Sequence, residues 1–389
     1  MTSCAGSTSS SGRIQSESPH LEFFHSESGC AEIEQHSLSM EIERLSSQIE
    51  KLQAKIFKKN DFVIAVSQSN KEFGVRLCKK FGLPTNLLIE QKFANGEVNI
   101  KLDESVRGKT VYLVCTGAFN NDNSSFTLND NLMSIFLTVS ALKISSAKSI
   151  NLIMPCFPYA RADKKDHRGP ISSAIVSLIL KTIGVNRVIV TDLHAGQTQG
   201  TFYGPFDNIY CKNTLIDYLN KNVFAGTENL NDHFILCSPD AGGVKRTIAY
   251  SEKLKLNWVS MEKRRDYGKM NSVSKSILMG ETEQLVGKTV IIVDDMADTM
   301  GTMCSATVIL ESLGASGCII VVTHGYFSGE AIDRINKTDF IEQVICTNSI
   351  PQTTNMTKCS KIKCVDLSDL IGEVITRIEG GGSVSALFE

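Results

Sequence analysis

No stretch of the 389-residue sequence carries the roughly 18 consecutive apolar residues that a membrane-spanning helix needs. The amino terminus also lacks the basic-then-apolar layout of a secretory signal. Charge of one sign is missing as well: 40 Lys and Arg stand against 42 Asp and Glu, a formal net charge of −2. No global field therefore draws the protein to nucleic acid or anionic lipid, and any phosphate site must be local. The 12 cysteines include no CxxC pair and no Cys/His cluster at zinc spacing, which argues for reduced thiols rather than a disulfide or zinc framework. A P-loop lysine motif is absent too. These absences lead us to expect a soluble cytoplasmic protein with no nucleic-acid and no membrane partner. A Ser-rich, Arg-poor start, with Arg13 its only basic residue before His20, leaves a degenerate transit peptide open.

What is present is enough apolar material, 42% of residues, for two ordinary domains with a cleft between them, plus an appendage. Residues 1–37 are rich in Ser, Gly, Glu and His and are read as a disordered tail. Leu38, Ile42, Leu45, Ile49, Leu52 and Ile56 fall on one helical stripe. That stripe suits either a short coiled coil or a helix docked on its own domain.

From about Phe62, short runs apolar on both faces alternate with helical stretches: 111–115, 150–154, 187–191, 234–237, 289–293 and 318–322. Such runs predict buried parallel strands, and segments such as Ile171 to Leu180, ending near Gly184, suit crossover helices. The chain is predicted to be α/β with two doubly wound sheets. The Asn, Asp and Ser cluster at 120–125 predicts a surface loop.

The most informative segment is TVIIVDDMADTMGTMCSA, residues 289–306. A buried strand delivers Asp294 and Asp295, and a turn with Thr299, Gly301 and Thr302 then opens a helix. Hydroxyls and N–H groups at a helix start suit a phosphate dianion, and the paired carboxylates suit sugar hydroxyls or hydrated Mg²⁺. An ordinary strand-to-helix turn with capping residues is the plainer reading. In PYARADKKDHRGP, Arg161, Lys164, Lys165 and Arg168 form either a solvated loop or a mobile basic lid over a triphosphate. His194 follows a strand, where open α/β sheets bind ligands, although a lone His there is more often a bonded core residue. FANGE at 93–97 is by itself a turn beside a strand.

The segment VDDMADTMGT resembles the 5-phosphoribosyl-binding motif of the type I phosphoribosyltransferase fold, and its DDMADT form resembles the ribose-phosphate diphosphokinase family. FANGE, ESVRGKTVYLV at 104–114, MPCFPYARADKKD at 154–166, DLHAGQTQG at 192–200, SPDAGGVKR at 238–246 and THGYFSG at 323–329 resemble that family in order and spacing. The likeness runs from about Phe62 to Glu389. It implies two similar type I phosphoribosyltransferase-like domains with central parallel sheets, at 61–210 (with 382–389 returning to it) and 211–381, behind a helical extension at 1–60. The implied activity moves the β,γ-diphosphoryl group of ATP to the C1 hydroxyl of ribose 5-phosphate, with Mg²⁺, for nucleotide biosynthesis.

By the same resemblance Lys263, Arg265 and Arg161 are catalytic, and Phe93, Asn95, Glu97, Arg161, Asp163, His194 and Asp207 contact ATP. Asp294, Asp295, Asp298, Thr299, Gly301 and Thr302 hold ribose 5-phosphate, and His194 and Asp240 place the metal. Ser105, Arg107, Ser383 and Ser385 match the regulatory site of the phosphate-activated class, with inorganic phosphate as activator and ADP as inhibitor. The family assembles dimers into larger rings, so a homo-oligomer, a hexamer built from dimers, is expected, with adenine sites shared between subunits. Departures are Ala162 where many members carry Gln, a loop one residue short between Asp166 and Pro170, Gly196 in place of a small hydroxyl residue, and an insertion around 119–128. Two other readings are a non-catalytic regulatory subunit, which tends to lose the basic and phosphate-loop residues kept here, and a nucleobase phosphoribosyltransferase, which is about half this length.

Overall fold

Runs of Val and Ile apolar on both faces lose little by being covered on both sides, so they become the central strands of covered parallel sheets. The computed structural model describes residues 62–389 other than 120–121, 123–125, 166, 265–274, 281 and 389, together with Met40, Glu41, Arg44, Leu45 and Gln48. Those five are helical, and Leu45 is exposed. The rest of the expected tail and apolar stripe lies outside the described residues. The chain divides into a unit of residues 1–59 and a unit of residues 60–389.

In the larger unit the strands run β1 (Phe62–Val66), β2 (Leu88–Lys92), β3 (Val98–Leu102), β4 (Thr110–Val114), β5 (Ser149–Ile153), β6 (Arg187–Thr191) and β7 (Phe206–Ile209). They continue with β8 (Phe234–Ser238), β9 (Trp258–Arg264), β10 (Lys275–Met279), β11 (Thr289–Ala297), β12 (Gly317–Gly325), β13 (Ile341–Thr347) and β14 (Ile362–Val365). One sheet has the order β1-β4-β5-β6-β7 and is parallel throughout. A second has the order β10-β9-β8-β11-β12-β13-β14 and is parallel except at its β9–β10 edge. The α/β reading with central parallel sheets holds.

Each sheet draws on its own half of the chain, so the first ends at Ile209 and the second begins at Phe234. The helix Ser368–Gly380 lies against the first half. It packs on the helix Lys71–Phe81, Lys80 Nζ bonds Asp369 Oδ1 at 2.7 Å, and the buried Tyr112 hydroxyl donates to Glu379 Oε1 at 2.7 Å. Val290 to Val293 and Cys318 to Val322 are buried, making β11 and β12 the centre of the second core. The described cysteines form no disulfide with one another.

Polar links fasten the halves of this unit to each other. His324 at the end of β12 is buried, with Nδ1 2.9 Å from Ser349 Oγ and Nε2 3.1 Å from the Thr191 carbonyl at the end of β6. Thr323 Oγ1 donates to Asp192 Oδ2 at 2.6 Å, and Thr116 Oγ1 donates to the Ser349 carbonyl at 3.1 Å. These bonds bring the carboxyl end of β6 against that of β12, the neighbour of β11, where open α/β sheets bind ligands. Within the expected surface loop, Asp122 accepts from the Thr353 and Thr354 N–H groups at 3.1 and 2.6 Å, satisfying the start of the helix Thr353–Lys358.

Gly117, just past β4, runs against the segment leading to Arg161. Its N–H donates to the Cys156 carbonyl at 2.8 Å, and a Cβ on it would lie 2.3 Å from Pro158 Cδ and 2.7 Å from that carbonyl. The backbone there cannot give way cheaply. Gly117→Ala is expected to lower stability by about 2 kcal/mol or more, read as a lower urea midpoint with an unchanged slope. An unchanged midpoint would mean the two segments are not in contact.

Candidate active site

Strand β11 runs four residues beyond the predicted apolar run because its pairing with β12 continues through Met296 with His324 and Ala297 with Gly325. Asp294 and Asp295 are thus held by the sheet rather than lying beyond it. The next residues turn sharply: Met300 takes a left-handed φ of 62° with its side chain buried, and the helix Gly301–Ser312 begins at once. Several bonds tie this turn from outside. The Tyr326 N–H donates to the Ala297 carbonyl at 2.8 Å, Ser328 N–H to the Asp298 carbonyl at 3.1 Å, and Arg334 Nη1 to the Thr299 carbonyl at 2.7 Å. A trans peptide points its N–H opposite its carbonyl, so carbonyls held outward turn the N–H groups of Asp298, Thr299 and Met300 toward the cleft.

The acid pair is countered from two directions. Arg246, on the helix Val244–Leu254, lies 3.0 Å from Asp294 Oδ1 and 3.7 Å from Asp295 Oδ1. From the other half of the unit, His194 Nδ1 lies 2.7 Å from Asp295 Oδ2; a carboxylate only accepts, so that nitrogen carries the proton. Burial and the neighbouring charge of Asp295 push the Asp294 carboxyl up to about 7. Burial pushes Asp295 the same way, but the His194 hydrogen bond and the Arg246 charge outweigh it and hold Asp295 below the ordinary carboxylate range. The bond to Asp295 raises His194 in return, against the effect of burial. One carboxylate is thus firmly ionised and its neighbour sits high, the pattern that separates roles within a carboxylate pair.

These groups open on a cleft of about 580 Å³ whose lining includes Arg161, His194, Asp240, Arg246, Glu262, Asp294, Asp295 and Asp298 to Met303. Arg161 reaches in from the first half and donates to Asp298 Oδ2 at 2.6 Å. Asp240 folds one oxygen back to accept from the Gly242 and Gly243 N–H groups at 2.9 and 3.2 Å. Of the residues singled out from sequence, the cleft therefore gathers Arg161, His194, Asp240, Asp294, Asp295, Asp298, Thr299, Gly301 and Thr302.

The others stand elsewhere. Phe93, Asn95 and Glu97 occupy the exposed tip of the β2–β3 hairpin, where Phe93 N–H donates to the Glu97 carbonyl at 2.8 Å, and they do not line the cleft. Asp163 accepts from Gln197 Nε2 at 3.2 Å. Asp207 is paired with Arg187 inside the first sheet. The backbone of Lys263 lies in β9 opposite Ser276, next to the cleft residue Glu262, while Arg265 is outside the described residues. Ser105 and Arg107 are exposed beyond β3, Ser383 and Ser385 are exposed at the carboxyl end, and no hydrogen bond or ion pair between described residues joins the two pairs.

The departures have local explanations in part. The Ala162 carbonyl accepts from Ser173 Oγ at 3.2 Å and its N–H donates to the Tyr159 carbonyl at 2.9 Å, so residue 162 is held at the start of the basic loop through its backbone groups. A Cβ on Gly196 would meet only Gln199 Nε2, at 4.0 Å, and nothing in the structure explains why glycine stands there. Arg246 and Arg334 were missed from the sequence. Arg246 lay within a quoted motif, but only the fold shows that it faces the acid pair.

Residues 62–184 match the N-terminal domain of ribose phosphate pyrophosphokinase, and residues 259–389 match the phosphoribosyl synthetase-associated domain. The crystal structure of phosphoribosylpyrophosphate synthetase from Mycobacterium smegmatis is similar with 30% identity and a TM-score of 0.73, covering 83% of this chain and 100% of its own. Adenine phosphoribosyltransferase from Thermoanaerobacter pseudethanolicus is similar over a smaller part, with 21% identity, 35% of this chain, 78% of its own and a TM-score of 0.26. The two domain matches together with the likeness to the mycobacterial synthetase show that the chain belongs to the ribose-phosphate diphosphokinase (phosphoribosylpyrophosphate synthetase) family of transferases.

Proposed function

We propose that the protein makes 5-phosphoribosyl 1-diphosphate and AMP from ribose 5-phosphate and ATP. The observation that carries this reading is the convergence, in one cleft, of the Thr and Gly turn at 298–302, an acid pair one step back on β11, and Arg161 and His194 from the other half of the unit. Thr299, Gly301 and Thr302 would hold the 5-phosphate at the start of the helix, and Asp294 and Asp295 would accept from the ribose hydroxyls. The C1 oxygen then bonds to the β-phosphorus of ATP. The bond from that phosphorus to the oxygen bridging to the α-phosphate breaks, AMP leaves, and the hydroxyl proton is released. Such transfers are accelerated by positioning and charge stabilisation rather than by a covalent intermediate. Arg161 is the guanidinium placed to follow the charge on the diphosphoryl group, and Lys263 is proposed to act beside it.

The cleft lining favours a divalent cation. Asp240, Glu262, Asp294, Asp295 and Asp298 face only Arg161 and Arg246 among its described charged residues, too little positive charge for a triphosphate to enter uncompensated. No group of three His, Cys, Asp or Glu placed to hold a metal occurs among the described residues. Mg²⁺ needs only one or two protein ligands when it is shared with phosphates, so Asp240 and His194 fit it. Bound there, it would neutralise the phosphate oxygens around the reacting phosphorus. We also propose the two-domain division near residue 210, activation by inorganic phosphate and inhibition by ADP through Ser105, Arg107, Ser383 and Ser385, and a homo-oligomer in which Phe93, Asn95 and Glu97 serve a neighbouring subunit. The exposed hairpin tip, away from its own cleft, supports that last reading. A non-catalytic regulatory subunit tends to lose the basic and phosphate-loop residues, whereas this cleft retains Arg161, His194 and the 294–302 segment.

Two experiments test the reading. AMP and 5-phosphoribosyl 1-diphosphate should form only when ATP, ribose 5-phosphate and Mg²⁺ are all present, and Lys263→Ala should lower kcat by about a hundredfold or more. Well-folded protein that forms neither product would refute it. The acid pair should also show a cost. Asp294→Asn removes a buried charge that is repelled by Asp295, so this variant should lose activity yet unfold at a higher temperature than the native protein. That gain should be absent in acid, grow as pH rises from the ordinary carboxylate range toward about 7, and stay constant above it. Asp295→Asn removes the charge that His194 and Arg246 need and should lower the melting temperature above the carboxylate range. The same loss of stability in both variants would contradict the assignment.

A further inference from the structure

The turn that receives the 5-phosphate in the proposed function is strained, since Met300 is a buried, non-glycine residue at φ 62°. Such a conformation persists only when its surroundings over-determine it. Of the outward bonds that fix the turn, those from Tyr326 and Ser328 are neutral backbone bonds. The bond to the Thr299 carbonyl comes instead from a guanidinium, Arg334 Nη1 at 2.7 Å, on the helix Ala331–Lys337. The same nitrogen would lie 3.4 Å from a Cβ on Gly301, so it sits directly behind the first residue of the helix that follows. Glu330 Oε2, 3.2 Å from Arg334 Nη2, holds the other arm of the fork. Arg334 does not line the cleft.

Resting on the reading that the cleft takes ribose 5-phosphate, we propose that Arg334 is a positioning residue for the 5-phosphate. It holds the Thr299 carbonyl outward so that the Met300 N–H stays aimed at the ligand, and it places a positive charge behind the turn that the dianion enters. A charge-assisted bond to a carbonyl is stronger than a neutral one and fixes the donor's direction. Its effect should fall on ribose 5-phosphate alone, because Arg334 is on the far side of the turn from the groups assigned to ATP.

Ribose 5-phosphate binding to the full chain by isothermal titration calorimetry, together with steady-state kinetics, separates the possibilities. Arg334→Gln should raise both Kd and KM for ribose 5-phosphate by about tenfold. The kcat and the KM for ATP should stay within about twofold of the native values. Arg334→Lys, which keeps the charge but not the fork, should recover part of the loss. Native protein that binds no ribose 5-phosphate would overturn the functional reading and this inference with it. Native protein that binds it, beside an Arg334→Gln variant that binds it equally well, would overturn the inference alone. Equal losses in kcat and in both KM values, with a lower melting temperature and no rescue by Lys, would show a general structural role and overturn it as well.

Discussion

Two ionised carboxylates on consecutive residues of a buried strand repel each other, with little water nearby to disperse their charge. The arrangement around β11 follows from that constraint. Arg246 comes from a helix of the same half, and His194 reaches across from the end of the other sheet to bond Asp295. The polar links through His324, Thr323 and Ser349 keep the two strand ends near enough for that bond to form. The acid pair thus needs both halves of the unit in register, which is also what a site for two substrates needs. In the proposed reaction the ribose hydroxyls donate to this pair, whose carboxylate oxygens are acceptors.

The ion pairs across the cleft describe a site filled by its own side chains. Arg161 rests on Asp298, and Arg246 on Asp294. Arg161, named for the diphosphoryl group, thus sits on a carboxylate named for the sugar phosphate, and Arg246 on one named for the sugar. Ligand entry exchanges one set of charge pairs for another, so net affinity is expected to reflect the difference between them rather than their sum. That places weight on groups that hold the site in shape without meeting the ligand, such as the outward bonds to the 297–299 carbonyls.

Much of the fold was legible because its strands are apolar on both faces: β4, β5, β6, β8, β11 and β12 were each placed within a residue or so at their starts. The hairpin β2–β3 and the edge strands β10 and β14 were not, since LIEQK, KSILM and IKCV are short, mixed runs whose strand state depends on a partner distant in sequence. At the site, the segment 294–302 was legible as carboxylates followed by a Thr and Gly turn. Arg246 and Arg334 were not, because an arginine on a helix looks the same whether it faces solvent or a buried acid. Asp207, which resemblance implied as a nucleotide contact, is paired with Arg187 within the first sheet, a partner that nothing in the sequence pattern marks.

A crystal structure of the protein with ribose 5-phosphate bears most directly on the central claim that the β11 acid pair and the turn after it form a sugar-phosphate site. The account predicts the phosphate at the Thr299 to Thr302 turn, with ribose hydroxyls on Asp294 and Asp295. A phosphate bound elsewhere, with Arg246 still on Asp294 and the turn empty, would contradict it.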